Sequence, residues 1–274
     1  ILTADIDLDP NLPGGRVFDK AVIAPDIEPR EDPEYLGGVQ GMRFTGVFDG
    51  DGHTISHLTI SGDGYLGLFG VVSTATISNV GLEAVEVNGT GYVGGLIGYS
   101  FVGCIAASYS TGSVTGDGDV GGLVGGAFGG SITRSYSAVT VGGTDCVGGM
   151  VGANGAEIVA SYSSGSVSGT GYEVGGLAGI GSCGYSLSSF KFATSTGNAI
   201  NCFWDMQTSG QTTSGGGIGK TTAEMQTAAT FIAAGWDFVG ETANSTEDIW
   251  WILEGKDYPR LWWELEEAEE NTEN

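Results

Sequence analysis

The chain has 274 residues, of which 51 are glycine, and its 33 acidic and nine basic side chains give a formal charge of −24 at pH 7. A charge of this sign and size repels polyanions, so the composition excludes nucleic acid and anionic membrane surfaces as expected partners. The sequence shows no signal peptide and no apolar run near the ~18 residues of a membrane-spanning helix. It begins at Ile1 instead of methionine, which favours a domain cut from a longer precursor.

Residues 1–43 do not repeat and are predicted to form an N-terminal capping segment. Apolar and polar residues alternate from Leu2 to Leu8, which predicts a half-buried strand with Ala4 and Ile6 facing inward. The proline-rich, acidic stretch after this strand predicts a long loop. Because the first coil of a stacked structure has an unpaired edge, we expect this segment to cover that edge.

Residues 44–203 carry a repeat with a fixed period. The phrase Gly-Gly-apolar-apolar-Gly occurs four times, each copy 27 residues after the last, starting at Gly94, Gly121, Gly148 and Gly175. A second phrase, Ser-Tyr-Ser, surrounds Tyr109, Tyr136 and Tyr162. Glycine this frequent disfavours helices, since each interior glycine costs ~1 kcal/mol relative to alanine. A period in this range is typical of stacked coils, so we predict an all-β, right-handed parallel β-helix, a solenoid of ~27-residue coils.

These phrases resemble the GLUG-motif repeat family, which is found in large bacterial cell-surface proteins and beside IgA-specific metallopeptidases. The resemblance covers about residues 44–180. The segment from Phe44 to His53 resembles the usual start of such arrays, and the segment from Phe203 to Trp263 resembles their usual end. The resemblance implies a bacterial surface or secreted protein, extracellular and of adhesin type.

Residues 204–263 are predicted to form a C-terminal cap that contains one short helix. Thr221 and Glu224 have the spacing of a capping box, and Gly235 is expected to end the helix. All six tryptophans follow residue 200, which suggests either an aromatic lid over the last coil or a sugar-stacking platform. They are Trp204, Trp236, Trp250, Trp251, Trp262 and Trp263. Residues 264–274 are predicted to be an acidic, frayed tail.

The four cysteines admit three pairings, and their spacing does not select one. They are Cys104, Cys146, Cys183 and Cys202. Buried free thiols and a single disulfide both fit a secreted protein. If one disulfide forms, Cys183–Cys202 is the favoured pair. The sequence contains no Cys-x-x-Cys, so a zinc knuckle is not expected.

Two groups of residues contain side chains that can act as metal ligands. His53 and His57 have the spacing of a metallopeptidase motif, but Thr54 stands where a general base is needed and the local pattern is that of a strand. Four aspartates lie in glycine loops that could offer oxygen ligands to Ca²⁺, although Asp-Gly is also a simple turn dipeptide. These candidate calcium ligands are Asp49, Asp51, Asp117 and Asp119. We therefore predict no cofactor, with Ca²⁺ as the alternative.

The sequence favours a non-enzymatic extracellular module that acts as a spacer or adhesin. No catalytic residue stands out, and the repeat places like side chains over one another without a unique polar cluster. Expected partners are glycans or other surface proteins, with self-association end to end or side by side. The alternative is a carbohydrate-active module that binds or degrades polysaccharide, because two carboxylates suffice for sugar hydrolysis and the chain has many.

Overall fold

The computed structural model describes residues 1–26, 41–171, 173–179 and 197–265. The expected acidic loop falls mostly outside these residues, as do Cys183 and most of the expected acidic tail. The strands, in chain order, are β1 (Ile6–Asp7), β2 (Val47–Asp49), β3 (Thr54–Ser56), β4 (Thr59–Gly62), β5 (Phe69–Ser73), β6 (Thr76–Ser78), β7 (Gly81–Gly89), β8 (Tyr92–Gly94), β9 (Ile97–Ala106), β10 (Tyr109–Gly116), β11 (Asp119–Gly121), β12 (Val124–Thr133), β13 (Tyr136–Gly143), β14 (Cys146–Gly148), β15 (Val151–Asn154), β16 (Glu157–Val159), β17 (Tyr162–Ser163), β18 (Val167–Gly169), β19 (Glu173–Gly175), β20 (Ala199–Ile200), β21 (Phe203–Asp205), β22 (Ile218–Lys220), β23 (Trp250–Trp251) and β24 (Arg260–Leu261). Short helices are α1 (Met206–Ser209), α2 (Thr222–Met225) and α3 (Ala228–Ile232).

Three parallel sheets run along the molecule, and four successive coils contribute strands to all three. Sheet A has the order β1-β3-β7-β10-β13-β17-β21-β22, with β4 on β7 and β18 on β13. Sheet B has the order β2-β6-β9-β12-β16-β20, with β5 on β9 and β15 on β12, and sheet C has the order β19-β14-β11-β8. Residues of neighbouring coils pair in register, for example Val120 with Val147. The predicted parallel β-helix is confirmed.

Each coil turns from sheet B to sheet A through one non-glycine residue in the left-handed region. The φ angles at these corners lie between 45° and 54°, at Asp51, Asn79, Ala107, Arg134, Ala160 and Asn201. This conformation costs on the order of 1 kcal/mol for an L-residue. After Ala107, Arg134 and Ala160 the next residue is a serine that stabilises the corner. The Ser135 hydroxyl, for example, donates to the Thr133 carbonyl (2.8 Å) and accepts the N–H of Ser108 (3.2 Å). This role accounts for the first serine of each Ser-Tyr-Ser phrase.

The interior of the solenoid is a set of apolar columns. Leu96, Leu123, Met150 and Leu177 are completely buried and lie over one another, as the repeat predicts. Ile105, Ile132 and Ile158 form a second buried column in sheet B. Complete burial of a side chain of this size stabilises the folded state by about 1.5–3 kcal/mol. A single coil cannot bury these faces, so the stability comes from stacking.

The N-terminal strand is shorter and more exposed than the alternation predicts. Between Leu2 and Leu8 only Ile6 and Asp7 form a strand, β1, which pairs with β3 so that Ile6 lies over Ile55. Ala4 is exposed and Ile6 is 39% exposed, whereas Leu2 and Leu8 pack against the core. The prediction that Ala4 and Ile6 are buried on the inner face of this strand is therefore wrong. Ile6 does lie in an internal column, but it belongs to the outermost strand of sheet A, so no strand of that sheet covers it among the described residues.

The helix expected from Thr221 to Gly235 is divided in two. The capping box at the start of α2 is confirmed, since the Thr221 hydroxyl accepts from the Glu224 N–H and the Glu224 carboxylate accepts from the Thr221 N–H. The chain then leaves the helical region at Thr227, which is extended, and resumes as α3. The carbonyl of Gln226 at this break accepts the N–H of Gly255 instead of continuing the helix. Including α1, the C-terminal region thus contains more than the one short helix predicted.

The C-terminal segment covers the side of the solenoid, and not its last coil as the lid hypothesis expected. Tyr109, Tyr136 and Tyr162 project outward from sheet A and stack with ring centroids 4.8 and 5.1 Å apart and planes within 7°. Residues 222–265, which we call the C-terminal wall, bury this tyrosine ladder. Trp263 stacks on Tyr109 at 5.4 Å and also lies against Gly52 of the first coil.

Most tryptophans are used in packing. Trp236 and Trp250 are buried inside the wall with their ring centroids 4.7 Å apart, and Trp204 lies in the solenoid core against Gly176. Trp262 is the one exposed tryptophan, at 38%. The structure therefore offers no row of exposed indole rings in its described part. Glu264 is also not part of a frayed tail, because it is buried and accepts the Tyr136 hydroxyl at 2.8 Å.

Candidate functional site

A polar groove runs across several coils where strands of sheet A end. Because β4, β7, β10 and β13 are stacked in register, equivalent residues after each strand form continuous columns. The groove has a volume of about 580 Å³. Its lining comes from four successive coils: Ser61, Gly62, Asp63, Asn88, Gly89, Thr90, Thr115, Gly116, Asp117, Gly142, Gly143 and Thr144. No single coil contains a residue that indicates this groove. The sequence signal appears only when the coils are aligned and the residues at equivalent positions are compared.

Threonines in the groove tie each coil to the one before it. The Thr90 hydroxyl donates to the Asp63 carboxylate at 2.9 Å, and the Thr115 hydroxyl donates to the Asn88 side-chain carbonyl at 3.1 Å. The Thr144 hydroxyl donates to the main-chain carbonyl of Asp117. The groove therefore presents hydroxyl, carboxamide and carboxylate groups that are already oriented. Such a lining suits a neutral, hydroxyl-rich ligand, and its negative charge disfavours an anionic one.

The two aspartates of the Asp117-Gly-Asp119 loop point to different surroundings. Asp117 is exposed in the groove, whereas Asp119 is buried in sheet C and accepts a hydrogen bond from Tyr92. Burial, together with the nearby carboxylates of Asp145 and Glu173, raises the pKa of Asp119 to about 7. Asp119 is therefore partly protonated near neutral pH, and this proton competes with binding of a cation.

The other two calcium candidates form a turn. One oxygen of the Asp49 carboxylate accepts both the N–H of Asp51 (3.0 Å) and the side-chain amide of Asn79 (3.0 Å). This is the geometry in which an aspartate stabilises its own turn. Across the described ranges, no group of three or more His, Cys, Asp or Glu side chains is placed to hold a metal ion.

The two histidines hold the N-terminal segment and do not converge on one site. His53 Nδ1 lies 3.1 Å from the Asp5 carboxylate, and His57 Nδ1 lies 2.9 Å from the Asp7 carboxylate. The hydrogen bond to Asp7 raises the pKa of His57, and the same bond lowers the pKa of Asp7. Each imidazole therefore has its own carboxylate partner across β1 and β3, which is a structural role.

The cysteines differ from the favoured pairing. Cys202 is a buried free thiol whose Sγ lies 3.2 Å from the Ile200 carbonyl, and Cys104 is free and exposed. Cys146 is disulfide-bonded. The expected Cys183–Cys202 pair is therefore wrong. The reason is that Cys202 occupies the position of the corner serines Ser108, Ser135 and Ser161, where the side chain turns back to the main chain of its own coil.

The raised pKa of Asp119 predicts a pH-dependent stability. The folded state binds this proton up to about pH 7, while an unfolded aspartate releases it near pH 4. The stabilisation is therefore complete below about pH 4 and is lost as the pH rises through about 7. We expect Asp119→Asn to raise the free energy of unfolding by roughly 2–4 kcal/mol at pH 8 and to change it little at pH 4, at about 1.4 kcal/mol per pKa unit.

Urea unfolding of both proteins at pH 4, 6 and 8 measures this difference. Asp117→Asn is the matched control, because it makes the same substitution two residues earlier at an exposed aspartate. The same stability difference for Asp119→Asn at pH 4 and pH 8 would contradict the prediction.

Comparison with known proteins finds relatives that are much longer than this chain. No family model matches it, so the resemblance to GLUG repeats stays a prediction. It is 35% identical over 104 residues to a "Putative Gly-rich membrane protein" of Evansella cellulosilytica, which covers 38% of this chain and 10% of that protein. It is 39% identical over 102 residues to halomucin of Haloquadratum walsbyi, which covers 36% of this chain and 1% of that protein. The chain thus spans only a small part of either relative.

A solved structure shares the fold. The crystal structure of a "putative immunoglobulin A1 protease" from Bacteroides ovatus aligns with a TM-score of 0.54 and 21% identity, over 79% of this chain and 77% of that one. At this identity the match concerns the fold alone. Within the described part of the chain, no helix has the length and apolar character needed to cross a bilayer.

Proposed function

We propose that this chain is a non-enzymatic β-helical module of a larger extracellular or cell-surface protein, where it acts as a stiff spacer that holds other segments away from the surface. The observation that carries the proposal is the continuous stacking of sheets A, B and C, reinforced by the wall along one side. The lengths of the two relatives support a role as one part of a long chain. The GLUG resemblance supports a bacterial adhesin-type protein.

The wall adds a kind of contact that a simple solenoid lacks. In a solenoid each coil touches only its neighbours, so one weak interface can open alone. Here Tyr258 stacks on Tyr162 while Trp263 stacks on Tyr109, two coils away. The Arg134 guanidinium also contacts the Glu247 carboxylate at 2.9 Å. Opening any one of these coils therefore requires the wall to detach as well.

Single-molecule pulling between the two ends of the chain tests the spacer role. We expect no lengthening until the coils rupture, because the ladders and the wall must break together. Rupture should occur at a force well above that needed to straighten an unfolded chain of the same length. Gradual lengthening at low force, with the coils opening one after another, would contradict the proposed role as a stiff spacer.

Glycan binding in the polar groove is the second candidate function. The observation that favours it is the row of oriented hydroxyl and carboxylate groups that lines the groove. A glycan array, followed by an assay for released reducing sugar, distinguishes the two functions. Selective binding without release would make the module an adhesin, and turnover would make it an enzyme. Absence of binding to all neutral glycans would leave the spacer role alone.

A further inference from the structure

The chain contains two tripeptides of the form Asn-x-Ser/Thr without proline, which are acceptors for N-linked glycans in secreted proteins. One is Asn88-Gly89-Thr90 and the other is Asn244-Ser245-Thr246. We propose that Asn88 is a site of N-linked glycosylation and that Asn244 is not. The inference rests on the extracellular location proposed above, since transfer of this kind occurs on exported chains.

Asn88 presents its amide nitrogen to solvent. The residue is exposed near the end of β7, and its side-chain oxygen accepts the Thr115 hydroxyl at 3.1 Å. This bond fixes the carboxamide, and its nitrogen donates no hydrogen bond to any described residue. The side chain opens into the groove of about 580 Å³, which is within the ~300–1,000 Å³ range of small-ligand pockets. The folded chain can therefore hold the first sugar without moving a neighbour.

Asn244 has the same acceptor pattern but its amide is engaged. Its Nδ2 donates to the Ile232 carbonyl at 3.0 Å and to the Trp236 carbonyl at 2.8 Å. A glycosylated amide keeps only one hydrogen, so attachment of a sugar here breaks at least one of these bonds. Both bonds fix the chain after α3, next to the buried Trp236 and Trp250. A glycan at Asn244 is therefore incompatible with the wall as it is packed.

The transfer uses a lipid-linked donor, an oligosaccharide joined through a diphosphate to a polyprenol. The amide nitrogen of Asn88 attacks the anomeric carbon of the first sugar. The N–C bond forms as the C–O bond to the diphosphate breaks, the polyprenyl diphosphate leaves, and one amide proton passes to a base of the transferring enzyme. No electrons are exchanged, and the product is an N-glycosylated asparagine.

The position of Asn88 also determines when transfer occurs. β7 is paired on both sides, Asn88 lying between Ser61 of β4 and Thr115 of β10. Once these coils are stacked, the main chain around Asn88 cannot bend into an enzyme active site. Transfer therefore precedes stacking of the coils. The folded structure then retains a glycan on Asn88, whereas a chain modified at Asn244 cannot pack its wall and does not reach the folded state. Glu86 is exposed on the same face two residues earlier, so the acceptor strand also presents a carboxylate to the enzyme.

Export of the full chain in a bacterium with an N-linked glycosylation system tests the proposal, with peptide mass spectrometry as the readout. A co-exported reporter with an accepted sequon confirms that the system is active. In the folded, exported protein we expect one glycan mass on the peptide that contains Asn88 and none on the peptide that contains Asn244. Asn88→Gln and Thr90→Ala should lose the glycan completely. Asn244→Gln should retain it, and Glu86→Gln measures whether the enzyme reads the carboxylate.

Two results would overturn the proposal: an unmodified Asn88 peptide beside a modified reporter, or a glycan on Asn244. Incubation of the purified, folded protein with the transferring enzyme and its lipid-linked donor should leave Asn88 unmodified, and efficient modification would contradict transfer before folding. The pulling experiment is independent of these measurements, so failure of the spacer role and failure of glycosylation are distinguishable. A glycan on Asn88 would occupy the groove and exclude a free glycan from it.

Discussion

Tyr136→Ala should lower the free energy of unfolding by about 3–5 kcal/mol, because it removes the central ring of the tyrosine ladder. Tyr136 is buried between Tyr109 and Tyr162, so the cavity cannot be filled by solvent-exposed neighbours. The substitution also deprives the buried Glu264 carboxylate of its hydroxyl donor. Burial raises the pKa of Glu264 to about 7, so losing this donor is costly when the carboxylate is charged.

Urea unfolding followed by two signals measures this effect. All six tryptophans lie beyond residue 200, so their fluorescence reports mainly on the wall, while circular dichroism reports on the coils. We expect the fluorescence transition of Tyr136→Ala to move to lower urea than the circular dichroism transition. Tyr136→Phe keeps the ring and should cost only about 1–2 kcal/mol. Thr140→Ala, on the exposed face of the same strand, should change the free energy of unfolding little. An equal loss of stability in this control would contradict the explanation that the tyrosine ladder is responsible.

Gly121→Ala should lower the free energy of unfolding by about 3 kcal/mol, and reduce the yield of folded protein, through overpacking. Gly121 begins the second copy of the repeated glycine phrase, where the main chains of adjacent segments approach closely. A Cβ at this position would collide with the Val124 carbonyl and come within 2.6 Å of the Gly152 nitrogen. These atoms belong to the main chain and cannot rotate away, so the coils themselves must separate.

Gly142→Ala is the matched control for this prediction. A Cβ on Gly142 meets only side chains, the Ser168 hydroxyl at 3.4 Å and a Thr115 methyl at 3.5 Å, which is ordinary contact. Gly142→Ala should leave the free energy of unfolding unchanged or raise it by up to ~1 kcal/mol, since alanine has less conformational freedom than glycine in the unfolded chain. Urea unfolding and hydrogen exchange of the coil around residue 121 measure both variants. Equal stability of Gly121→Ala and Gly142→Ala would show that close packing is not why the phrase needs glycine.

The repetitive part of the fold could be predicted because its physics is local and repeated. Identical side chains at a constant spacing have to lie over one another, so the Leu96 and Ile105 columns follow from the period alone. The direction of the Tyr136 column could not be predicted in this way, because it depends on a corner residue, Arg134, that takes a left-handed conformation with no glycine to mark it.

The end of the repeat was harder to recognise, although a signal is present. Ile200-Asn201-Cys202-Phe203-Trp204 occupies the place of Val159-Ala160-Ser161-Tyr162-Ser163, with Phe203 paired to Tyr162. At each of these positions the residue type differs from that of the earlier coil, but its structural role is the same. Phe203 continues the aromatic column, and Trp204 fills the space beside Gly176 that a serine occupies in the earlier coils. Aligning these positions by structural role instead of by residue identity identifies this segment as a further coil of the repeat.

The position of the wall depends on contacts between residues far apart in the chain. Neither the tryptophan content nor the capping box at Thr221 indicates whether the segment covers the end or the side of the solenoid. The contacts that decide it join Tyr136 to Glu264 and Tyr162 to Pro259, across 128 and 97 residues. The groove was missed for a similar reason, since Asn88 and Thr115 become neighbours only when coils are superimposed.

The wall contacts the solenoid from Phe203 back to Gly52, so its length limits the number of coils that can lie between these two residues. Because each coil of a solenoid stacks only on its neighbours, the sheets alone would accept an additional 27-residue coil. The wall, however, has one length, and an added layer between Gly52 and Phe203 would pull Trp263 or Phe231 out of place. An array held by this wall is therefore expected to keep a constant number of coils between Gly52 and Phe203.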